Sequence, residues 1–395
     1  MGGGLLTHVS FGLLEEVKLL LSVSLSLKVG KISGITVKLH YSWFVIFVFM
    51  AWSLASGYLP DGYPGQSTTF YWSVGIIAAA TLFLSVLIHE VSHSLVAERY
   101  KIHVESITLY FLGGVSETAE EAHTAKEELR MAVAGPAISL MLGIVFYLLW
   151  LVLATALPLA VVAVLQYASY INVLLAAFNM IPAFPMDGGR VLRAIIWGRR
   201  KDILPSTRMA TVVSKVISYG FIALGLMDMV FYSGFDGLWL LIIGFFISSS
   251  AEASMNETRI SQALAGVRVE DIMSREVHTV EPVISIQDIV NRHFSTYKHH
   301  GFPVVSKGEL VGIITLEDVR RVPPESWDER RVEDVMKPFK ELLASKPGDA
   351  ALDALIKMAK GNVGRLPVLD EGKLVGIVTR SDIAKAVQTR LRFRS

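Results

Sequence analysis

The 395-residue sequence contains no cysteine. Disulfides are therefore excluded, and thiol chemistry gives no reading of compartment. Any bound metal must take His, Asp, Glu or backbone oxygen. Charge is also scarce. Asp, Glu, Lys and Arg make up 18% of the chain and hydrophobic residues 52%, whereas a soluble domain carries about 25% charged residues. The deficit points to membrane spans, and most of the apolar excess lies before residue 256. The net charge is +1 and no long basic stripe is present, which sets nucleic-acid binding aside. A secretory signal of the usual form is lacking, because Glu15, Glu16 and Lys18 interrupt the first apolar run.

A helix needs about 20 predominantly apolar residues to cross the hydrocarbon layer. Six such stretches are expected, at roughly 40–57, 71–98, 130–155, 159–182, 208–232 and 237–255. Loop 58–70, the turn near Ala156–Leu159 and the turn Ser233–Gly237 contain no Lys or Arg. The intervening segments do, at Lys28, Lys31 and Lys38, Arg99, Lys101, Lys126 and Arg130, Arg190 to Lys201, and Arg259. This alternation predicts a multi-pass protein of the cell membrane with both termini on the cytosolic side. Residues 1–30 form a separate segment, in which Leu13–Leu27 suits an interfacial helix. Leu27–Lys38 alternates weakly and has strand character. The membrane domain is expected over 31–256.

The last third reads as an ordinary soluble protein with an internal repeat over 268–324 and 332–390. Each copy opens on a similar run, Val269-Glu270-Asp271-Ile272-Met273 and Val332-Glu333-Asp334-Val335-Met336. Each contains a Pro-Val strand and closes on a Gly-Ile-x-Thr-x-x-Asp pattern ending at Asp318 or Asp382. Strand, turn, strand and helix repeated in this way predict two α/β modules packed as a pair. The fold class is thus a six-span α-helical membrane domain followed by a soluble α/β pair.

The sharpest chemical signal is His89-Glu90-Val91-Ser92-His93. On a helix, positions i and i+4 share a face, so both imidazoles reach one ion and Glu90 lies beside it. Zinc suits two imidazoles and a carboxylate with one position left for water, whose pKa it lowers from about 15.7 to about 7. Glu90 is then placed to take the water's proton and pass it to a leaving amine. The alternative is a pair of helix histidines satisfied by neighbours. The apolar run around them weighs against it, since an ionisable group at membrane depth costs about 2.5–3.5 kcal/mol on insertion scales. His89 lies ten residues from Arg99, about 15 Å in from that end, so a polar channel to the cytosol is expected.

The best third ligand is Asp187, in Asn179-Met180-Ile181-Pro182-Ala183-Phe184-Pro185-Met186-Asp187-Gly188-Gly189-Arg190. Prolines break the helix there and the glycines allow a tight turn. Helix capping is the competing role for Asp187. Asn179, eight residues earlier, suits polarisation of a scissile carbonyl, with helix packing as its alternative. Val104–Tyr110 is strand-like and leads into Phe111-Leu112-Gly113-Gly114-Val115. That segment reads either as a surface hairpin or as a re-entrant strand that offers Gly113 and Gly114 at a sheet edge to an extended substrate.

HEVSH in an apolar helix, then Phe-Leu-Gly-Gly-Val, Ala134-Gly135-Pro136 and NMIPAFPMDGGR, together resemble the site-2 protease family of intramembrane metalloproteases. The resemblance covers about residue 30 to the end. It implies His89, His93 and Asp187 as ligands of one Zn2+ per chain, Glu90 as catalytic base and Asn179 as a substrate-polarising residue. It further implies Gly113 and Gly114 in substrate binding, and single-span membrane proteins in the bilayer as substrates. The repeats resemble tandem cystathionine-β-synthase (CBS) domains. That implies adenine nucleotides (AMP, ADP or ATP) as ligands, with Asp318 and Asp382 on ribose and Thr315 and Thr379 on phosphate. The alternative for the repeats is a structural or dimerising role, with a homodimer formed through the CBS domains. Two further classes stand beside the protease: a CBS-gated transporter or channel, and an inert scaffold that binds a partner helix. The absence of related membrane halves argues against the first, and the intact His89, Glu90, His93 and Asp187 argue against the second.

Overall fold

A computed structural model of the chain describes residues 26–110, 113–118, 122–231, 236–297 and 299–394. The interfacial helix expected within Leu13–Leu27 falls almost wholly outside the described residues, as do Phe111 and Leu112. The chain divides into two compact units, with the division after Thr258.

The first unit opens with strands β1 (Ser26–Ile32) and β2 (Ile35–His40). Ser33 and Gly34 join them, both at positive φ (51° and 89°), the conformation that matches a two-residue turn to the strand twist. Helix α1 (Tyr41–Ser53) leaves directly from β2, and α2 (Thr68–Arg99) brings the chain back. Strands β3 (Val104–Tyr110) and β4 (Gly113–Thr118) follow. Two antiparallel crossings return the chain to the side it left, so β3 lies parallel to β2, with Thr36 opposite Ser106. The sheet order is β1-β2-β3-β4, and its other pairings are antiparallel. Its apolar residues Ile35, Val37, Val104, Ile107 and Leu109 are buried against Ala97, Ile102 and Met131.

The remaining helices are α3 (Ala125–Leu153), α4 (Leu159–Asn179), α5 (Asp187–Arg200), α6 (Ile203–Phe231) and α7 (Asp236–Leu264). Among the described residues, six helical stretches are long and apolar enough to cross a membrane: Tyr41–Gly62, Thr68–Arg99, Ala125–Leu153, Leu159–Asn179, Ile203–Phe231 and Gly237–Leu264. Several outrun the apolar windows read from the sequence, because polar end residues remain helical. Thr124 shows why at α3. Its Oγ1 accepts from the Glu127 N–H at 3.2 Å, and Glu127 Oε2 accepts from the Thr124 N–H at 3.2 Å. This reciprocal cap starts the helix five residues before the apolar run. At 14 residues, α5 lies between spans rather than crossing.

Small residues bring the helices together. Gly75 of α2 faces Ala51 and Ala55, and Gly143 of α3 faces Ser169 and Val173 of α4. Close packing of this kind drives association where lipid removes the hydrophobic incentive. Large apolar side chains point outward instead: Val152, Val230 and Phe231 are each 72% exposed.

The second unit holds the two repeats. In the first, β5 (Gly301–Ser306) pairs antiparallel with β6 (Glu309–Thr315), and the short helix α8 (Leu316–Arg320) follows. In the second, α9 (Ala351–Lys360) precedes β7 (Arg365–Asp370) and β8 (Lys373–Thr379), and α10 (Arg380–Arg394) closes the chain. The repeats exchange their opening segments. Val269, which opens the first, is buried in the core with Ala354, Leu366 and Val378 of the second. Val332, which opens the second, is buried with Ile286, Phe302 and Ile314 of the first. Two methionines lock the exchange, Met273 Sδ against Gly376 and Met336 Sδ against Gly312, where a larger residue would collide.

Candidate metal centre

Helix α2 carries His89 and His93 one turn apart, both buried in the protein interior. The segment between α4 and α5 brings Asp187 to them from 94 residues further on. Nε2 of His89 lies 3.1 Å from Asp187 Oδ2, Nε2 of His93 lies 3.1 Å from the same oxygen, and the two Nε2 atoms are 3.2 Å apart. Among the described residues these three form the group of His, Asp and Glu side chains able to hold a metal ion. Edges of about 3.3 Å are what a tetrahedron with bonds of about 2.0–2.1 Å requires, the bond length of Zn–N and Zn–O. The residues present therefore fit zinc in identity, count and spacing.

The surroundings also aim the lone pairs inward. His93 Nδ1 lies 2.6 Å from the carbonyl oxygen of Met131 on α3. A carbonyl only accepts, so Nδ1 carries the proton and a neutral His93 keeps its Nε2 lone pair for a cation. His89 Nδ1 lies 2.9 Å from Ser139 Oγ, also on α3. Hydrogen bonds of this kind fix ring orientation and raise ligand basicity. Between Met131 and Ser139 sits Gly135. A Cβ there would overlap Nε2 of His93 and approach Nε2 of His89 to 2.5 Å. The glycine thus leaves the room that an ion and its ligands need.

The segment 180–186 is held by its own backbone and by α6. The Met186 N–H donates to Ala183 O at 3.0 Å, and the Phe184 N–H donates to Ser214 Oγ at 2.9 Å. Ala183, Phe184 and Met186 are buried. A Cβ on Gly188 would overlap the carbonyls of Met180 and Ile181, and one on Gly189 would lie 2.6 Å from Ala183 C and Phe184 N. The two glycines let the segment fold back over the start of α5, which places Asp187 at the helix head facing α2.

Glu90 is adjacent to this cluster, under strand β4. A Cβ on Gly114 would overlap Glu90 Cγ and come 2.8 Å from Cδ. The backbone of β4 therefore lies directly against the Glu90 side chain, as only glycine permits. Gly113 takes φ +136°. β4 is the outer strand of its sheet, so its second edge has no strand partner among the described residues.

Asn179 stands differently. It ends α4, and its Nδ2 donates to Leu175 O of the same helix at 3.0 Å. Among the described contacts it is not joined to the donor cluster. The buried amide nearest in pattern is Asn172, seven residues earlier, whose Nδ2 donates to Ser85 Oγ at 2.9 Å. Ser85 precedes His89 by one turn of α2. Met131, Ser139 and Asn172 carry no motif in the sequence. The Ala-Gly-Pro run was a pointer to Gly135, whereas a backbone carbonyl such as Met131 O has no sequence signature.

In the second unit, Thr315 and Asp318 line a cavity of about 1010 Å³ with Arg321, Lys337, Asn362 and Arg365. Thr315 caps α8: its N–H donates to Asp318 Oδ2 at 2.9 Å and its hydroxyl to the same oxygen at 2.5 Å, leaving Oδ1 available. Arg365 donates to Gly301 O at 2.8 Å and has no ion-pair partner among the described residues. Burial pushes its guanidinium below the ordinary value. Asp382 lines a smaller recess of about 330 Å³ with Lys385 and Arg390. Thr379 donates to Asp382 Oδ2 at 3.0 Å from N–H and 2.6 Å from its hydroxyl, and it lines neither space. Thr315 and Asp318 thus share one cavity, whereas Thr379 and Asp382 share neither of these two spaces.

Comparison with known proteins agrees with both units. The family model described as Peptidase family M50 matches residues 77–157 and 154–224, and that of the CBS domain matches 269–325 and 332–389. The protein Rip3 of Mycobacterium tuberculosis is 36% identical over 367 residues, which is 92% of this chain and 93% of that protein. A zinc metalloprotease of Methanocaldococcus jannaschii is 31% identical over 365 residues, 92% of this chain and 96% of that protein. The solved site-2 protease from Methanocaldococcus jannaschii aligns at 31% identity and a TM-score of 0.41, covering 58% of this chain and 95% of that one. On the length and level of these sequence matches, the chain belongs to the site-2 protease family, Peptidase family M50, in the form that carries a C-terminal CBS pair.

Proposed function

We propose that this protein is an intramembrane zinc endopeptidase that cuts single-span membrane proteins within or near their helix. The observation that carries the reading is the meeting of His89 and His93, on an apolar helix long enough to span a membrane, with Asp187 at the head of α5, all at 3.1–3.2 Å and with Glu90 adjacent. His89, His93 and Asp187 hold the ion. When bound, it supplies Lewis acidity, which polarises a carbonyl and makes water acidic enough to lose a proton near neutral pH.

Glu90 accepts that proton as the water oxygen bonds to the substrate carbonyl carbon. It then returns the proton to the amide nitrogen as the C–N bond breaks. Asn179 steadies the developing oxyanion by giving up its bond to Leu175 O for one to the substrate. A helical substrate hides its carbonyls in internal hydrogen bonds, so it must unwind first. The outer edge of β4 at Gly113 and Gly114 offers the unwound segment main-chain partners beside Glu90. The arrangement of Lys and Arg in the short loops favours cytosolic termini and a cytosolic CBS pair.

In the CBS pair, adenine nucleotide occupies the larger cavity. Asp318 Oδ1 takes ribose hydroxyls, and Thr315, with Lys337 and Arg365 nearby, takes phosphate. Asp382 lines a recess of about a third that volume, which Thr379 does not reach, and this favours nucleotide at the Thr315 and Asp318 cavity. Nucleotide level then regulates cutting to the extent that the ligand prefers one conformation.

The test is incubation of the purified zinc-loaded chain with a single-span model substrate in detergent, with products read by mass spectrometry. New termini within or beside the substrate's apolar span are expected. An intact substrate under conditions where zinc is bound would count against the proteolytic reading. Calorimetric titration with AMP and ATP tests the second part. Asp318→Ala is expected to abolish binding and Asp382→Ala to leave it.

A further inference from the structure

On the α3 and α5 side of the donor cluster, one buried ion pair joins the two helices that frame it. Glu128 lies in the first turn of α3 and Arg193 in the second turn of α5. Their side chains are 1% and 11% exposed. Arg193 Nε donates to Glu128 Oε1 at 2.7 Å, and Nη2 donates to the same oxygen. Nη1 reaches Thr258 Oγ1 on α7 at 3.4 Å. The guanidinium carbon stands 5.5 Å from the ring centre of Phe184, three residues before Asp187. Glu128 Oε2 is buried with no partner among the described residues.

Such a pair is costly. Removing two charges from water is repaid only when geometry and hydrogen bonding are excellent, and apolar replacements of similar volume are often as stable or more so. An oxygen left without a partner makes the account worse. Stability therefore does not explain the pair, and its position does. Glu128, Met131, Gly135 and Ser139 fall at i, i+3, i+7 and i+11, one face of α3, and all four are buried. That face carries the carbonyl on His93, the space between the imidazoles and the hydroxyl on His89. Arg193 holds the helix whose first residue is Asp187 and packs on the segment that leads into it. The pair thus links the part that orients both imidazoles to the part that delivers the carboxylate.

We propose that Glu128 and Arg193 are positioning residues, a clamp that fixes Asp187 against His89 and His93 and thereby sets metal affinity and coordination geometry. The inference rests on the metal reading of the cluster. It involves no contact of either residue with metal or substrate.

The test uses the full chain in detergent, with zinc affinity from chelator competition and the absorption spectrum of the Co2+-loaded protein. The first variant combines Glu128→Met with Arg193→Met, which removes both charges and avoids stranding one. It is expected to melt near the unaltered protein, bind zinc about 10–100-fold more weakly, as loss of outer partners does at metal sites, and show a changed Co2+ spectrum. Turnover should fall at unchanged KM. The second variant, Arg193→Lys, keeps the charge and loses the two-nitrogen grip on Oε1. It should show a smaller loss of affinity with a changed spectrum, and it decides the matter should the double variant not fold. Unaltered zinc affinity and spectrum in a folded variant would overturn the clamp and leave the metal site standing. An unaltered chain that holds no zinc would overturn the metal reading and the clamp with it.

Discussion

The membrane unit and the CBS pair differ in what they bury and what they expose. In the membrane unit the interior is polar where it matters: His89, His93, Asp187, Glu128, Asn172, Ser139 and Ser214 are all buried. Many of its large apolar side chains face outward along the spans. In the CBS pair the interior is Leu366, Val368, Val378, Phe302, Ile314 and their neighbours. Val283, Phe339, Leu343 and Phe393 are the large apolar residues exposed there among those described. One chain follows both rules because the solvent differs. Lipid gives no reward for burying apolar surface and punishes every unsatisfied polar group, whereas water does the reverse. The difference teaches why the candidate metal centre sits where it does. Polar groups that lipid would exclude gather inside, and His89, His93 and Asp187 form one such gathering.

The comparison breaks most sharply at Gly135. Gly135→Ala pushes a methyl against both imidazoles, so zinc affinity should fall by about 10–100-fold while the unfolding of the CBS pair is unchanged. Chelator competition and calorimetry on the same preparation check both halves. In the opposite direction, Leu366→Ala should destabilise the CBS pair by about 2–5 kcal/mol and leave zinc affinity unchanged, as thermal unfolding and metal titration would show.

Two exposed apolar residues sharpen the solvent argument. Val216, mid-way along α6, is 65% exposed, and Phe393, on α10, is 87% exposed. Val216→Asp should raise the cost of membrane insertion by about 2.5–3.5 kcal/mol, read in an insertion assay. Phe393→Asp, facing water, should change stability by no more than about 0.5 kcal/mol.

The smallest expected effect is on pH. Burial raises the Asp349 carboxyl, but hydrogen bonds from the Lys346 N–H, Ser345 Oγ and Lys357 Nζ outweigh it and hold it below the ordinary carboxylate range. A depressed folded pKa means stabilisation that is present above the unfolded value, about 3.9, and is lost as pH falls through the folded one. Asp349→Asn should therefore lower CBS stability slightly at pH 7 and flatten its acid dependence, as unfolding at pH 7 and pH 3 would reveal. Lys357 is half-exposed, so solvent keeps the effect small.

Much of this was legible in the residues. HEVSH announces two imidazoles on one helix face because i and i+4 coincide, and the structure puts them 3.2 Å apart at Nε2. Asp187 was readable because prolines and glycines around a lone carboxylate mark a chain reversal. The six spans followed from apolar length, and strand β3 from β-branched composition. What escaped depends on the meeting of distant backbones. Met131 contributes a carbonyl, which every residue has. Gly114 presses on Glu90 through close approach, and a glycine pair in a sequence suits a plain hairpin equally well. The Glu128–Arg193 pair spans 65 residues and looks, in sequence, like two surface charges. The exchange of Val269 and Val332 between the CBS cores was hidden by the repeat itself, since a periodic pattern marks where copies begin and not which core each start enters. Asn179 has an amide suited to polarising a carbonyl, yet that amide bonds back to Leu175, so the proposed role requires a rearrangement when substrate arrives.

The central claim is that Glu90 moves a proton at a metal centre held by other residues. The direct measurement compares the unaltered chain with Glu90→Gln, both zinc-loaded, on a single-span substrate in detergent. The account predicts one zinc per chain in each and cleavage reduced by at least about 100-fold in the variant. Cleavage by Glu90→Gln at the unaltered rate, with zinc fully bound, would contradict it.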